Sequence, residues 1–259
     1  MLSSFVTSIG ATTLTLCDRL GAFFLYMVKV FFVFFTTRPK ISKIFYQINV
    51  IGVESFSIIV LTGSFSGMVF ALQSYIGFQR VGGEQFIGAV VALGMIRELG
   101  PVLTGLMVTG RAGSAITAEI GTMNISEQID ALRTLRINVF QYLIIPRVFA
   151  ATIILPFLAL FSMIFGIIGG YVVCTQVLGL SPEDYHSSIK TYVELNDITG
   201  GLIKSAVFGF LLSLVGTFKG YYTSGGARGV GISTTKSVVQ SSIMILISNY
   251  FITKILEKL

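Results

Sequence analysis

Five stretches of this 259-residue chain, about residues 50–73, 86–109, 148–173, 200–218 and 237–256, are apolar over enough length to cross a bilayer. Crossing a hydrocarbon core of roughly 30 Å takes about 20 helical residues. Only structures that satisfy all their own backbone hydrogen bonds survive there. The expected fold class is therefore all-α integral membrane, with five transmembrane helices. Composition agrees: 53% of residues are hydrophobic and 12% charged, where a soluble domain carries about 25% charged residues.

The formal charge of +6 does not point to nucleic acid, because the basic residues lie between apolar segments rather than in a run or on one face. Arg38, Lys40 and Lys43 precede the first span, Arg133, Arg136 and Arg147 follow the second, and Lys219, Arg228 and Lys236 follow the fourth. The intervening loops hold only Arg80 and Lys190, so the positive-inside rule makes the three richer groups cytoplasmic. The C-terminus is then expected on the far side, despite Lys254 and Lys258. Cys17 and Cys174 form no metal or redox spacing and read as small apolar fillers. The first charges, Asp18 and Arg19, come too late for the basic start of a signal peptide.

Residues 1–46 read as an N-terminal amphipathic segment preceding a membrane-spanning domain over 47–259. The apolar run GAFFLYMVKVFFVFFTT is nearly long enough to span, but Lys29 lies at its centre, at a cost of about 3 kcal/mol. Phe24, Met27, Phe31 and Phe35 share the helix side opposite Lys29, which favours an interfacial helix; a sixth span is the alternative. Glycine recurs inside the spans, with Gly63 and Gly67 in a GxxxG spacing. Such residues allow close backbone approach, either within the chain or at a dimer seam.

The segment GMIRELGPVLTG, residues 94–105, puts Arg97 and Glu98 inside an apolar run. Neighbours on a helix diverge by about 100°, so these two cannot neutralise each other. Exposed together to hydrocarbon they would cost roughly 5–7 kcal/mol, so they must face protein or water. Gly100 and Pro101 predict a kink or break beside them, with freed carbonyls lining a cavity. Glu54, Arg111, Glu119 and Lys204 are the other intramembrane charges, and Lys204 is the candidate partner of Glu98. A static ion pair and a transport role both fit that pairing.

Residues 122–147 carry Asn124 and Glu127 at the spacing of a capping box, followed by an apolar stripe of Ile125, Ile129, Leu132 and Leu135. A short amphipathic helix of this kind lies on the bilayer or its own protein, or docks into a cytoplasmic partner. The loop at 226–233, GARGVGIS, has the outer glycines of a phosphate loop, but Ile232 stands where lysine is needed and no strand precedes it. If transport is driven by ATP, another chain must supply the site. The one histidine, His186, has no companion ligands for a metal, and no serine or cysteine nucleophile comes with a base.

The run ELGPVLTGLMVTGRAGSAITAEIGTMNISEQIDAL, residues 98–132, closely resembles the signature of the MlaE family of permeases, the membrane subunits of MCE-type ABC transporters. SGMVFALQSYIGFQRVGG before it, and PRVFAATIILPFLALFSMIFGIIGGY and GVGISTTKSVVQSSIMIL after it, extend the resemblance over about residues 50–255. It implies a homodimer in the inner membrane of a two-membrane bacterium, with five spans, an N-terminal interfacial helix and a cytoplasmic coupling helix at about 122–140. It implies a cytoplasmic ABC ATPase that binds ATP and magnesium, a periplasmic MCE-domain protein and, in some systems, a STAS-domain protein. The cargo it implies is phospholipid, or in some branches galactolipid precursors or sterols. Under this resemblance Glu119, Asn124, Glu127, Ile129, Asp130, Leu132 and Arg133 make up the ATPase-coupling region. Arg97, Glu98 and Lys204 meet a lipid's head, with Phe70, Leu72 and Tyr75 on its tails. Two departures stand out. Leu135-Arg136-Ile137-Asn138-Val139 replaces a glycine and proline, so a longer coupling helix is expected, and Asn249 stands where aspartate is usual. A stand-alone secondary transporter or channel, or a membrane anchor for a soluble partner, is the alternative reading.

Overall fold

The computed structural model describes residues 2–36 and 40–257. They form helices α1 (Leu2–Thr36), α2 (Ile41–Phe78), α3 (Glu84–Ile125), α4 (Gln128–Thr134), α5 (Phe140–Val177), α6 (Pro182–Tyr192), α7 (Leu195–Tyr221) and α8 (Gly226–Leu256). Five of these, α2, α3, α5, α7 and α8, are long and apolar enough to cross a membrane. They alternate in direction, leaving α4 and the 222–225 turn at one end and the 79–83 turn with α6 at the other. Lys40, Lys43, Arg133, Arg136, Lys219 and Arg228 gather at the first end; Arg38 and Lys258 lie outside the described residues.

α5 is the hub, packed along α2 on one side and α7 on the other. Small residues make both contacts possible. A Cβ added to Gly63 would fall 2.8 Å from the Ser162 carbonyl oxygen, and one on Gly67 would strike the backbone of Gly166. The GxxxG of α2 is thus a seam within the chain, where close backbone approach replaces the hydrophobic drive that lipid does not supply. Ile59, Val108, Leu155, Phe208 and Leu212 fill the main core between these helices.

α3 departs from the sequence expectation in two ways. It runs on to Ile125 instead of ending near 109, and it is not broken at Gly100 and Pro101. A π turn over Met95–Leu99 precedes Gly100, and Pro101 enters the next α segment in its first turn, where proline's missing N–H costs little. The wide turn, rather than a gap, accommodates the change.

α1 lies against the side of the bundle through Tyr26, Val30 and Val33, which are buried on Phe140, Ile144, Val148 and Leu214. Phe24 and Phe35 point away, whereas Phe31 packs on the Phe210 ring of α7 at 5.4 Å between centroids. Lys29 does not stand alone: its Nζ sits 4.4 Å above the Phe140 ring, a cation–π contact that offsets part of its desolvation. Residues 41–46 are already the first turns of α2.

The α2–α5 seam gives a direct expectation. Gly67→Leu should lower the melting temperature of the detergent-solubilised protein by the equivalent of at least about 2 kcal/mol, the range of overpacked cores. Gly77→Ala, where nothing lies within 4 Å, should leave it unchanged or slightly raised.

Candidate functional site

The charged residues of α3 converge with α7 and α8 on one polar cluster. The π turn sends the adjacent Arg97 and Glu98 to different neighbours. Arg97 donates from Nε to Asp197 Oδ1 at 2.7 Å, and its Nη2 lies 2.6 Å from the same oxygen. Glu98 Oε1 accepts from Lys204 Nζ at 2.6 Å and lies 3.1 Å from the Thr253 hydroxyl, while Oε2 accepts from Asn249 Nδ2 at 2.8 Å. Lys204, only 3% exposed, also donates to the Arg97 carbonyl at 2.8 Å. Two cations and two carboxylates balance, so the cluster carries no net charge into the bundle.

Beside the cluster is a cavity of about 490 Å³ lined by Leu93, Gly94, Arg97, Glu98, Asp197, Gly200, Gly201, Lys204, Thr253 and Leu256, with Glu194, Asn196 and Glu257 towards the end that carries α6. Its volume is in the range of small-molecule sites. Phe70, Leu72 and Tyr75 do not line it. Phe70 backs Gly94 from behind and packs with Tyr75 against Ala71, Ile87 and Met95, while Leu72 is exposed on the outer face of α2.

At the opposite end α4 is a tight elbow. The capping box expected from Asn124 and Glu127 does not form, because α3 is still helical through Ile125. Asn124 donates to the Thr223 carbonyl at 2.9 Å, and Glu127 takes a left-handed φ of 59° with no side-chain cap. Nor does the helix run longer. Arg136 has φ 57°, Ile137 N–H bonds Leu132 O at 3.0 Å and Arg136 N–H bonds Arg133 O at 2.9 Å. This is a Schellman ending with arginine in the place glycine usually holds. Ile129 is buried, Leu132 half-buried and Leu135 exposed. Arg133 turns back onto its own chain, donating to the Tyr221 hydroxyl and, at 2.6 Å, to Asp130; the Tyr221 contact foremost, with Asp130 adding to it, raises the guanidinium's pKa above its ordinary value. Glu119 pairs with the buried Arg147 at 2.7 Å, and Glu54 with Arg111 at 3.0 Å.

Comparison with known proteins decides what kind of chain this is. The sequence pattern described as Permease MlaE matches residues 44–255. A "Probable ABC transporter permease protein" of Rickettsia bellii is 44% identical over the full length of both chains. The "Intermembrane phospholipid transport system permease protein MlaE" of Haemophilus influenzae is 34% identical over 99% of this chain and 98% of its own. The chloroplastic "Protein TRIGALACTOSYLDIACYLGLYCEROL 1" of Arabidopsis thaliana is 41% identical over 80% of this chain and 59% of its own.

The chain belongs to the MlaE permease family. It is a multi-pass ABC-transporter permease and not itself an ATPase, so the stand-alone transporter and simple anchor readings give way. In this MlaE-family permease the GARGVGIS stretch is the first two turns of α8. His186 lies in α6 with Nδ1 2.9 Å from the Pro182 carbonyl oxygen, and among the described residues no group of three or more His, Cys, Asp or Glu could hold a metal.

Sequence reasoning missed Asp197, Asn249 and Thr253. Asp197 had a local signal: with Glu194 it forms the capping box that starts α7, its Oδ2 accepting the Glu194 N–H at 2.9 Å. Asn249 was visible only as a departure from the family pattern, yet its amide is a donor to Glu98 from 151 residues away.

Lys204→Met keeps the apolar stem but removes the ammonium. It should destabilise the protein by about 3 kcal/mol, because Glu98 loses its counter-charge in a partly buried place. Adding Glu98→Gln should recover most of that loss in a double-mutant melting cycle; additive losses would mean the two do not depend on each other.

Proposed function

We propose that this permease moves phospholipids, or closely related lipids, between the inner membrane and a periplasmic MCE-domain partner, driven by a separate cytoplasmic ABC ATPase that binds ATP and magnesium. The observation that carries this reading is the cavity beside the charge-balanced cluster of α3, α7 and α8: a polar cluster kept inside an apolar bundle, open towards one end. Holding four charged groups there is costly, and a purely structural role would not need the space beside them. The family relatives named for lipid systems point the same way.

The basic end, with α4, is assigned to the cytoplasm and the α6 end to the periplasm. Two copies form the transporter, joined in some systems by a STAS-domain protein. The α4 elbow offers Gln128, Asp130 and Leu135 outward to the ATPase. Arg133 and Asn124 act as straps instead, tying the elbow to Tyr221 and Thr223 at the turn before α8. α8 then reaches the cavity, where Asn249 and Thr253 hold Glu98. A displacement of α4 by ATPase closure is in this way passed along a rigid helix to the polar cluster. Leu72 and other outward residues of α2 are tail contacts at the surface of the bundle rather than in the cavity.

The test is to purify the tagged chain gently from its native membrane and identify what accompanies it. A Walker-motif ATPase, an MCE-domain protein and bound phospholipid are expected. The Glu98→Gln/Lys204→Met double variant, which leaves no unpaired charge, should retain both proteins and lower ATP-dependent lipid transfer at least tenfold. A chain with neither partner nor lipid, or full transfer by the variant, would overturn the proposal.

A further inference from the structure

α1 does not close fully onto the bundle. Tyr26 meets Phe218 and Tyr221 near the end of α7, with ring centroids 5.3 and 6.1 Å away, whereas Phe31 meets Phe210 at 5.4 Å. Phe210 lies eight residues before Phe218, about 12 Å along the helix. α1 therefore descends from the basic end into the depth of the spans. Phe34 reaches Phe149 of α5 at 5.7 Å, so two ring pairs tie α1 to two different helices.

Between these ties is a cleft of about 180 Å³, floored by Val30, Ile145 and Val148. It shares no lining residue with the cavity beside the charged cluster. Thr152 is the one lining residue with a polar side chain, and its hydroxyl donates to the Val148 carbonyl at 2.8 Å. A buried water needs two or more polar partners, which this cleft does not offer. Left empty, its walls forfeit their dispersion contacts. Hydrocarbon is the filling that suits it. The volume is below the roughly 300–1,000 Å³ of compact small-molecule sites, which favours one chain over a ring system.

The mouth of the cleft has a different character. Lys29 adjoins Val30 on α1 but is exposed, and its Nζ sits 4.4 Å above Phe140, the first residue of α5 at the basic end. Ile145, Val148 and Thr152 come later in α5 and so lie deeper. The lysine stem thus lifts its charge to the level of the head groups. Among the described residues no carboxylate pairs with it. A cation without a counter-ion above an apolar cleft complements a lipid with an anionic head.

We propose that this cleft is a fixed site for one acyl chain of an anionic phospholipid from the leaflet at the basic end, with Lys29 on its head, and that this resident lipid fastens α1 to the bundle. It is distinct from any cargo, and the assignment does not depend on what the permease transports.

The test places the purified full-length chain in phosphatidylcholine nanodiscs doped with phosphatidylglycerol that carries a photoreactive group along one tail, and maps the adducts by peptide mass spectrometry. Phosphatidylcholine and diacylglycerol with the same labelled tail are the comparisons. Adducts at Phe34, Phe149 and Thr152 are expected, at least threefold more with phosphatidylglycerol than with either. Lys29→Gln should abolish that preference and Lys29→Arg should keep it. Thr152→Leu fills the cleft and should remove the adducts; melting curves show whether it folds, and if it does not, the Lys29 variants decide. Glu98→Gln/Lys204→Met should leave the adducts unchanged. Equal labelling by phosphatidylglycerol and diacylglycerol, or no effect of Lys29→Gln, overturns the inference, as does the absence of adducts in the cleft. Loss of the preference in Lys29→Arg would mean that the lysine serves only to pack on Phe140. Loss of the adducts on neutralising the charged cluster would make the cleft part of the transport path and overturn the assignment of a resident lipid.

Discussion

Everything around the cavity follows from burying one ammonium. Lys204 sits within the bundle with almost no access to solvent, and an unpaired charge there would cost several kcal/mol. Its partner comes from α3, and α3 presents Glu98 at that point only because the helix widens into a π turn over Met95–Leu99. The same turn hands Arg97 to Asp197 at the start of α7. One buried pair thus fixes the relative rotation of two spanning helices, and α8 is drawn in by the lone pairs Glu98 still has to offer.

Of the five spanning helices, α8 is the least buried inside the bundle. Ser237, Ser241 and Ile245 are its buried residues across 31 positions, and its named polar ties are Thr117 to Ser237 at 2.9 Å near the middle and Glu98 to Asn249 and Thr253 near the end. Two left-handed glycines, Gly225 before α8 and Gly226 as its first residue, mark its start and permit a sharp change of direction that other residues resist. A helix fastened by a few polar contacts at its far end and by a glycine turn at the other is suited to moving as a unit. Asn249 matters in that setting: an aspartate at the same distance from Glu98 would place two carboxylates together, where the amide instead donates.

Much of this was legible in the sequence. The five spans follow from apolar length alone, and the need of Glu98 for a partner follows from the cost of charge in lipid, which left Lys204 as the candidate. The boundaries of α3 were less readable because Arg111 and Glu119 look like the end of a span, whereas each is neutralised by a partner from another helix. The Asn124–Glu127 spacing is a true start signal in isolation, but a helix already running through Ile125 leaves no free amides for it to cap. Asp197 and Asn249 belong to the site through contacts across 100 and 151 residues, and no local pattern encodes those.

The most direct test of the central claim is to load the purified transporter with a phospholipid carrying a photoreactive group near its head, irradiate, and map the crosslinks by peptide mass spectrometry. Adducts concentrated at Leu93, Thr253 and Leu256, and reduced when Lys204 and Glu98 are both neutralised, are the predicted result. Adducts confined to the outward faces of α2 and α8, with none in the cavity, would contradict it.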